Sequence, residues 1–572
     1  FSCSNAMLQP ELFNPVNADH LWPKRKVNGA LIKDYSLIHS RNDKSIILKN
    51  FVKLGQVFDR MPYGIIDKKV TGIGATTLEL NAPRHSIIVV PTKSLAASKC
   101  TSHNLKSDNK ALYVGSKIAG HKEATPKRIS EYLQSKQQYK KILVVADSLP
   151  KVLNAIGKDN YDEYFLMIDE ADALQSDSLY RPALENALDY YFEFTPKNRC
   201  LVSATIREFS HPKLKGESYL SISYETSLIR DIKLIHSNYG NLKTFYEIKR
   251  IYRQTEDNII IACNSLRDIQ AIISLFDNTV KADCQIFCSE KSKDNAGKYY
   301  AELENGKLQK RITFMTCAYF VGIDIDERFH LISVSQNKHA LGYSMLSIEH
   351  LIQIAGRCRD SKGLLSDTII FSTKEYEKVD LKQFAAKQLK RANWILNIYN
   401  LIKNDENADD PDIKPDCERF LQTIEEKREK ESLVRKNIYG EFEIAWLNLD
   451  ALKEQEYLKE LYSDKYALKK QLELKGWNIN FRSAYFRKEH KDVIRLKEAE
   501  KEVKGERKIK ETENIDGIVA ILKVSNFSED IFRTLKRNAT RETEEFITRL
   551  HELHEYIDND YLIDELKKTS DK

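Results

Sequence analysis

Two successive sets of short, wholly apolar runs constrain this chain more than any other feature. The first set is Ser86-Ile-Ile-Val-Val90, Lys141-Ile-Leu-Val-Val145, Phe165-Leu-Met-Ile168 and Arg199-Cys-Leu-Val-Ser203. The second is Asn258-Ile-Ile-Ile-Ala262, Cys284-Gln-Ile-Phe287, Arg311-Ile-Thr-Phe-Met315, His330-Leu-Ile-Ser-Val334 and Thr368-Ile-Ile-Phe371. A strand that is apolar on consecutive residues has no face to turn to water, so it belongs in a parallel sheet covered on both sides. Helix-compatible stretches separate the runs, which predicts doubly wound α/β units.

A chain of 572 residues is too long for one core. The pattern divides it into an N-terminal extension (1–45), a first α/β lobe (46–225), a second α/β lobe (226–372) and a helical C-terminal domain (373–572). In the last region strands become scarce and Lys, Glu and Leu dominate. Asp450 to Leu474, Glu489 to Lys510 and Arg541 to Leu566 read as helices, and the acidic, Pro-bearing stretch Asp405 to Asp416 reads as a linker. Ser4-Asn-Ala6 before Met7 looks like a tag remnant, so Met7 is the expected native start.

A net charge of +6 permits a nucleic-acid partner without demanding one. No apolar run is long enough to span a bilayer, so no membrane is expected. Nine cysteines include no CxxC pair. Cys284 and Cys288 have no further Cys or His beside them to complete a zinc set, and free thiols in a reducing cytoplasm are expected. His551 and His554 read as solvated.

The chemistry sits in four motifs in fixed order. Thr71-Gly-Ile-Gly-Ala-Thr-Thr77 is a glycine-rich loop ahead of a helix-compatible run. Gly72 and Gly74 let the backbone turn tightly and aim N–H groups at phosphate oxygens, and Thr76 stands where a metal-binding hydroxyl belongs. Thr77 follows. Ala75, however, occupies the place of the lysine that such a loop normally carries. Losing one preorganised donor typically lowers a rate by about 10²–10³. Either Lys68 or Lys69, just upstream, supplies the missing charge, or nucleotide binds without turnover.

The second motif, Asp169-Glu-Ala-Asp172, ends an apolar strand. There Asp169 suits a magnesium ion, Glu170 suits orientation and deprotonation of an attacking water, and Asp172 suits a link to Ser203 or Thr205. The third motif is Ser203-Ala-Thr205 and the fourth is Gln353-Ile-Ala-Gly-Arg-Cys-Arg359.

In this order the motifs resemble those of superfamily 2 DExD/H-box helicases over residues 46–372, with a variant first motif that lacks its lysine. The resemblance implies two tandem RecA-like doubly wound lobes, ATP and Mg²⁺ as cofactors, and ATP-dependent movement on nucleic acid. Pro91, Thr92 and Lys93 are similar to the family's first strand contact, Ser148 to a second and Asn264 to a third. Gly322 and Asp324, in Phe320-Val-Gly-Ile-Asp324, resemble the motif that touches both nucleic acid and nucleotide. Gln353, Gly356, Arg357 and Arg359 resemble the arginine-finger motif, with either arginine as the finger.

The form Gly-Arg-Cys-Arg is similar to phage, plasmid and mobile-element replication helicases, which favours single-stranded DNA over RNA and suggests a replication-protein partner on the C-terminal domain. Phe58, Arg60 and Tyr63 are adenine-site candidates, with core packing the alternative for the aromatics. Trp477-Asn-Ile-Asn-Phe-Arg-Ser-Ala-Tyr-Phe-Arg-Lys488 interleaves aromatics and cations, as a single-strand contact or the edge of a core does. Rival readings are a non-hydrolysing, nucleotide-gated clamp or loader and an RNA remodeller.

Overall fold

The computed structural model describes residues 32–37 and 43–524, except 119, 182, 227, 228, 305, 338–342, 361 and 432, together with 528, 532 and 547. The tag remnant, the expected helix Arg541 to Leu566, and His551 and His554 lie outside the described residues.

Two compact units divide the chain. The first joins residues 1–229, 347–356 and 375–467, and the second joins 230–346, 357–374 and 468–572. In the first, the strands are β1 (Ile32–Leu37), β2 (Asp43–Leu48), β3 (Gly64–Asp67), β4 (His85–Val90), β5 (Ala111–Val114), β6 (Lys141–Val145), β7 (Tyr164–Asp169), β8 (Arg199–Ser203) and β9 (Tyr219–Tyr224). They form one sheet in the order β1-β2-β9-β3-β8-β7-β4-β6-β5. Every neighbouring pair is parallel except β1 and β2.

The apolar runs behave as a strand covered on both faces must. Ile88, Val90, Leu143, Met167 and Val202 join one buried cluster, while their neighbours Ile87, Val89, Ile142, Val144, Leu166 and Leu201 join the other. Successive side chains point to opposite faces of the pleat, so each run fills two cores at once.

The second unit holds β10 (Asp231–Ser237), β11 (Asn258–Cys263), β12 (Cys284–Phe287), β13 (Tyr300–Ala301), β14 (Ile312–Met315), β15 (Phe329–Ser335) and β16 (Ser366–Phe371). With β19 (Asn478–Ala484) they form a parallel sheet in the order β13-β12-β14-β11-β15-β16-β10-β19. Both units are therefore the doubly wound α/β lobes expected. Cys284 and Cys288 lie in the core of this unit.

The segment after residue 373 is helical for the most part but differs in two respects from the all-helical domain expected. It contributes residues 375–467 to the first unit and 468–572 to the second. It also contains a hairpin of β17 (Val434–Lys436) and β18 (Phe442–Ile444), and β19, which lies in the stretch Trp477 to Lys488 and pairs with β10 along its whole length. Two of the aromatics there pack, while Tyr485 stays largely exposed. The Arg230 guanidinium stacks on Trp477, and Phe486 stacks on Tyr246. Asp450 to Leu474 forms two helices, Trp446–Leu461 and Ala467–Leu474.

Candidate functional site: the carboxyl ends of the central strands

Register places the candidate residues together. Asp67 at the end of β3 lies opposite Ser203 at the end of β8, and Asp169 at the end of β7 lies opposite Val202. The Lys68 backbone N–H donates to the Ser203 carbonyl at 2.8 Å. Three adjacent strand ends therefore deliver Lys68, the acidic motif and Ser203 to one edge of the sheet, where parallel sheets gather their ligands.

The phosphate-loop candidate crosses from β3 to the helix Ala75–Leu80. Gly72 (φ +68°) and Gly74 (φ +96°) adopt the left-handed conformation open to glycine. Gly74 caps the helix, and Ala75 and Thr76 begin it buried, with Thr77 exposed beside them.

The two candidate lysines part company here. Lys69 has a half-exposed side chain and pairs with Asp67, which also accepts the Tyr219 hydroxyl at 2.6 Å. Lys68 turns inward and is buried. Its ammonium stands 3.4 Å from Asp169 Oδ1 and 3.7 Å from Glu170 Oε1. Burial alone would push it down, but Asp169, Glu170 and Asp172 outweigh that and hold it above the usual lysine value.

The acids form a connected network. Thr76 Oγ1 donates to Asp169 Oδ2 at 2.5 Å, and the Glu170 N–H donates to Asp169 Oδ1 at 3.0 Å. Glu170 has φ +52°, an unfavourable backbone for a residue with a β-carbon, of order 1–3 kcal/mol. Asp172 accepts Ser203 Oγ and Thr205 Oγ1, both at 2.6 Å. Gln353 is buried, and its Nε2 donates to Glu170 Oε2 and to Thr205 Oγ1, both at 3.2 Å. One amide thus ties the second, third and fourth motifs together inside the first unit. Gly356, three residues on, runs so close to the glycine loop that a β-carbon there would lie 2.3 Å from Thr71 Oγ1.

Across the boundary from Gly356, Arg357 and Arg359 belong to the second unit. Arg357 Nη1 donates to the Ile323 carbonyl at 2.9 Å, and Arg359 pairs with Asp324 at 2.6 Å. Gly322 in the same loop has φ +82°. Asn264 bridges that unit's strand ends, accepting the Cys317 N–H at 3.1 Å and donating to the Tyr343 carbonyl at 2.8 Å.

The strand-contact candidates of the first unit lie at other strand ends. Pro91 follows β4, and its carbonyl accepts Arg181 Nη1 at 2.7 Å. Thr92 caps the helix Lys93–Lys106 by accepting the Leu95 N–H. Ser148 is buried at the start of the helix Leu149–Ile156. Phe58 is a core residue, so packing is the reading that holds for it, while Tyr63 packs partly buried against the same cluster.

Two further residues shape the site without any sequence signal. Lys53 Nζ donates to the Gly72 carbonyl at 2.8 Å, while the Leu54 N–H donates to the Ile73 carbonyl at 3.0 Å, so this segment is stitched to the glycine loop. Gln175 is buried, and its amide accepts the Arg207 N–H and donates to the Arg207 carbonyl, holding the chain just past Thr205. Nothing in the spacing of Lys53 or Gln175 distinguishes them from surface residues.

No family model and no curated protein matches the sequence. Among solved structures the chain is similar to Mss116p bound to ssRNA and AMP-PNP, at 12% identity and a TM-score of 0.40, over 74% of this chain and 89% of that one. It is similar to the ATP-dependent Type ISP restriction-modification enzyme LlaBIII bound to DNA, at 12% identity and a TM-score of 0.41, over 88% of this chain and 36% of that one. It is also similar to the Mycobacterium smegmatis helicase Lhr bound to ssDNA and AMP-PNP, at 15% identity and a TM-score of 0.37, over 57% of this chain and 46% of that one. Likeness at this level carries no argument about chemistry, which rests on the residues above.

Proposed function

We propose that the protein is a nucleic-acid-dependent ATPase of the superfamily 2 helicase kind, moving on single-stranded DNA, in which Lys68 supplies the charge that Ala75 lacks. The observation that carries this reading is the Lys68 ammonium, buried 3.4 Å from Asp169 and 3.7 Å from Glu170, next to a glycine loop without a lysine. A cation there meets the outer phosphates from the strand end rather than from the helix.

In this reading the N–H groups after Gly72 and Gly74 cradle phosphate oxygens. Thr76 and Asp169 are a hydroxyl and a carboxylate 2.5 Å apart, oxygen donors of the kind a magnesium ion takes. They would hold that ion, which when bound neutralises charge building on the phosphate oxygens. Glu170 takes the proton of the attacking water, and Gln353 orients its carboxylate. Asp172, Ser203 and Thr205 pass a change at Glu170 to the backbone beyond β8. The stabilising guanidinium is Arg357 or Arg359, and Gly322 and Asp324 complete the nucleotide set. Pro91, Thr92, Lys93, Ser148 and Asn264 contact the strand's backbone, which carries little sequence information. A role in the replication of phage, plasmid or mobile-element DNA follows from the Gly-Arg-Cys-Arg form alone.

Phosphate release measured with and without single-stranded DNA or RNA tests the reading. Turnover should rise with DNA and vanish in Glu170→Gln. A stronger response to RNA makes the protein an RNA remodeller. Nucleotide binding with no turnover under any condition makes it a clamp or loader and removes the motor.

A further inference from the structure

The helix Leu381–Lys403 is a 23-residue element that the site above does not use. It carries Lys382, Lys387, Lys390, Arg391 and Lys403 and not one Asp or Glu. In a chain with 90 basic and 84 acidic residues, five cations along one helix without an acid is a strong local bias. Its buried side is short and clear. Ala392 and Ile395 pack with Leu433, Val434, Phe442 and Ile444, and Tyr399 donates its hydroxyl to Glu425 at 2.8 Å.

The other side is built differently. Lys387, Lys390, Trp394, Asn397 and Leu401 follow one another at steps of three, four, three and four residues, which is one stripe of a helix. All five are exposed, and Arg391 flanks them. Trp394 leaves 59% of its surface in water. Asp380 caps the start of the helix and is held by its own first-turn N–H groups, and Asp405, Glu406, Asp409, Asp410 and Asp412 follow its end, so the stretch from Lys387 to Trp394 presents positive charge and an indole together.

We propose that this stripe is an accessory binding site for single-stranded nucleic acid, with Trp394 stacking on a base and Lys387, Lys390 and Arg391 holding the phosphates on either side. An aromatic plane set among cations fits that ligand chemically. Every base offers a π-face to an indole, and every linkage offers a negative charge. A bare basic face needs no tryptophan, and an apolar protein-docking face would not exclude acids. The inference rests on the nucleic-acid reading above and adds a contact on the C-terminal segment, which holds none of the strand-contact motifs.

The full chain is titrated with a fluorescent oligothymidylate at several salt concentrations, beside Trp394→Ala and a Lys387→Gln/Lys390→Gln/Arg391→Gln variant. The Trp394 variant should bind about tenfold more weakly, since stacking on one base carries an effect of that order. The triple variant should flatten the slope of log affinity against log salt by about 2, at roughly 0.7 for each phosphate no longer neutralised. Melting temperature and ATPase without nucleic acid should match the wild type in both.

Unchanged affinity and salt slope overturn the proposal. So does a change confined to self-association, which would make the stripe an interface between copies. If the wild-type ATPase responds to DNA while these variants bind normally, only this inference fails. If the stripe binds DNA but no ATPase exists, only the motor fails.

Discussion

Replacing Lys68 by Gln is the perturbation that bears hardest on the site. The glutamine keeps a hydrogen-bond donor near Asp169 but removes the charge that now stands 3.4 Å from Asp169 and 3.7 Å from Glu170. Removing one partner of a buried pair costs about 3–5 kcal/mol when nothing replaces it, and the retained donor should recover part of that. The chain should therefore still fold, with a lowered melting temperature. Its chemistry should suffer more. On the proposed assignment the lost cation is one preorganised stabiliser of transferring phosphate, so turnover should fall about 10²–10³-fold, or about 2.7–4 kcal/mol of barrier.

Phosphate release at saturating ATP and single-stranded DNA reads this directly, with binding of a fluorescent nucleotide analogue as the check on the fold. Lys69→Gln is the paired control. Its half-exposed ammonium engages Asp67, so turnover should stay within about threefold of wild type. Ala75→Lys, placed on the Lys68→Gln background, restores a lysine at the ordinary position and should recover part of the loss. Lys68→Gln turning over at the wild-type rate, in a preparation where Glu170→Gln is dead, would refute the assignment.

Gly356→Ala should lower turnover and the melting temperature together, because its β-carbon meets Thr71 Oγ1 at 2.3 Å and the glycine loop must shift. Overpacking of this kind costs about 1–3 kcal/mol, and Thr71→Gly on the same background should relieve it in the same ATPase assay. Gln353→Ala removes the amide shared by Glu170 and Thr205 and should lower DNA-stimulated turnover by about tenfold or more while nucleotide affinity holds, read by kcat against KM. Glu185, buried beside Arg435 and accepting the Leu447 N–H, is pushed up to about 7, mainly by burial. Its unfolded value lies near 4.5, so its contribution to stability is fully present below about 4.5 and is lost as pH rises through about 7. Thermal melts should show the wild type weakening between pH 5 and pH 8 by up to about 3 kcal/mol. Glu185→Gln should flatten that slope, and an unchanged slope would rule Glu185 out as its source.

How much of this could be read from the chain depends on the range of each interaction. The core runs declare themselves because burial on both faces demands apolar residues in succession, as Ile87 and Ile88 show by falling into opposite cores. Strands nearer the sheet margins do not. β9 alternates buried and half-exposed residues, and β10 mixes Asp231, Lys233 and His236 with its isoleucines, so neither carries the continuous signal. The stretch holding β19 resembles a binding ribbon in sequence because an edge strand can keep polar residues on both faces.

The acidic motif, the glycine loop and Ser203-Ala-Thr205 are legible because each is a short contiguous string with its own local turn chemistry, although the bonds that join them run across long stretches of chain, from Thr76 to Asp169 and from Asp172 to Ser203. Lys68 and Lys69 are adjacent, and their sequence context is nearly the same. What separates them is the direction in which β3 hands over to the loop, with Lys68 N–H tied to Ser203 and Lys69 at φ +43° turning outward. Gln353 reaches the site from 183 residues beyond Glu170, Gly356 follows it there, and Lys53 reaches Gly72 from before it.

Taken alone, the chain's order of residues determined that two parallel sheets would form and which motifs would stand at their strand ends, since periodicity and local turn chemistry act over a few residues. Only the tertiary structure decided which lysine enters the acids, what Gln353 touches there, and which late segments complete each unit. Those choices depend on strand register and on contacts between residues far apart in the chain, and no local pattern encodes them.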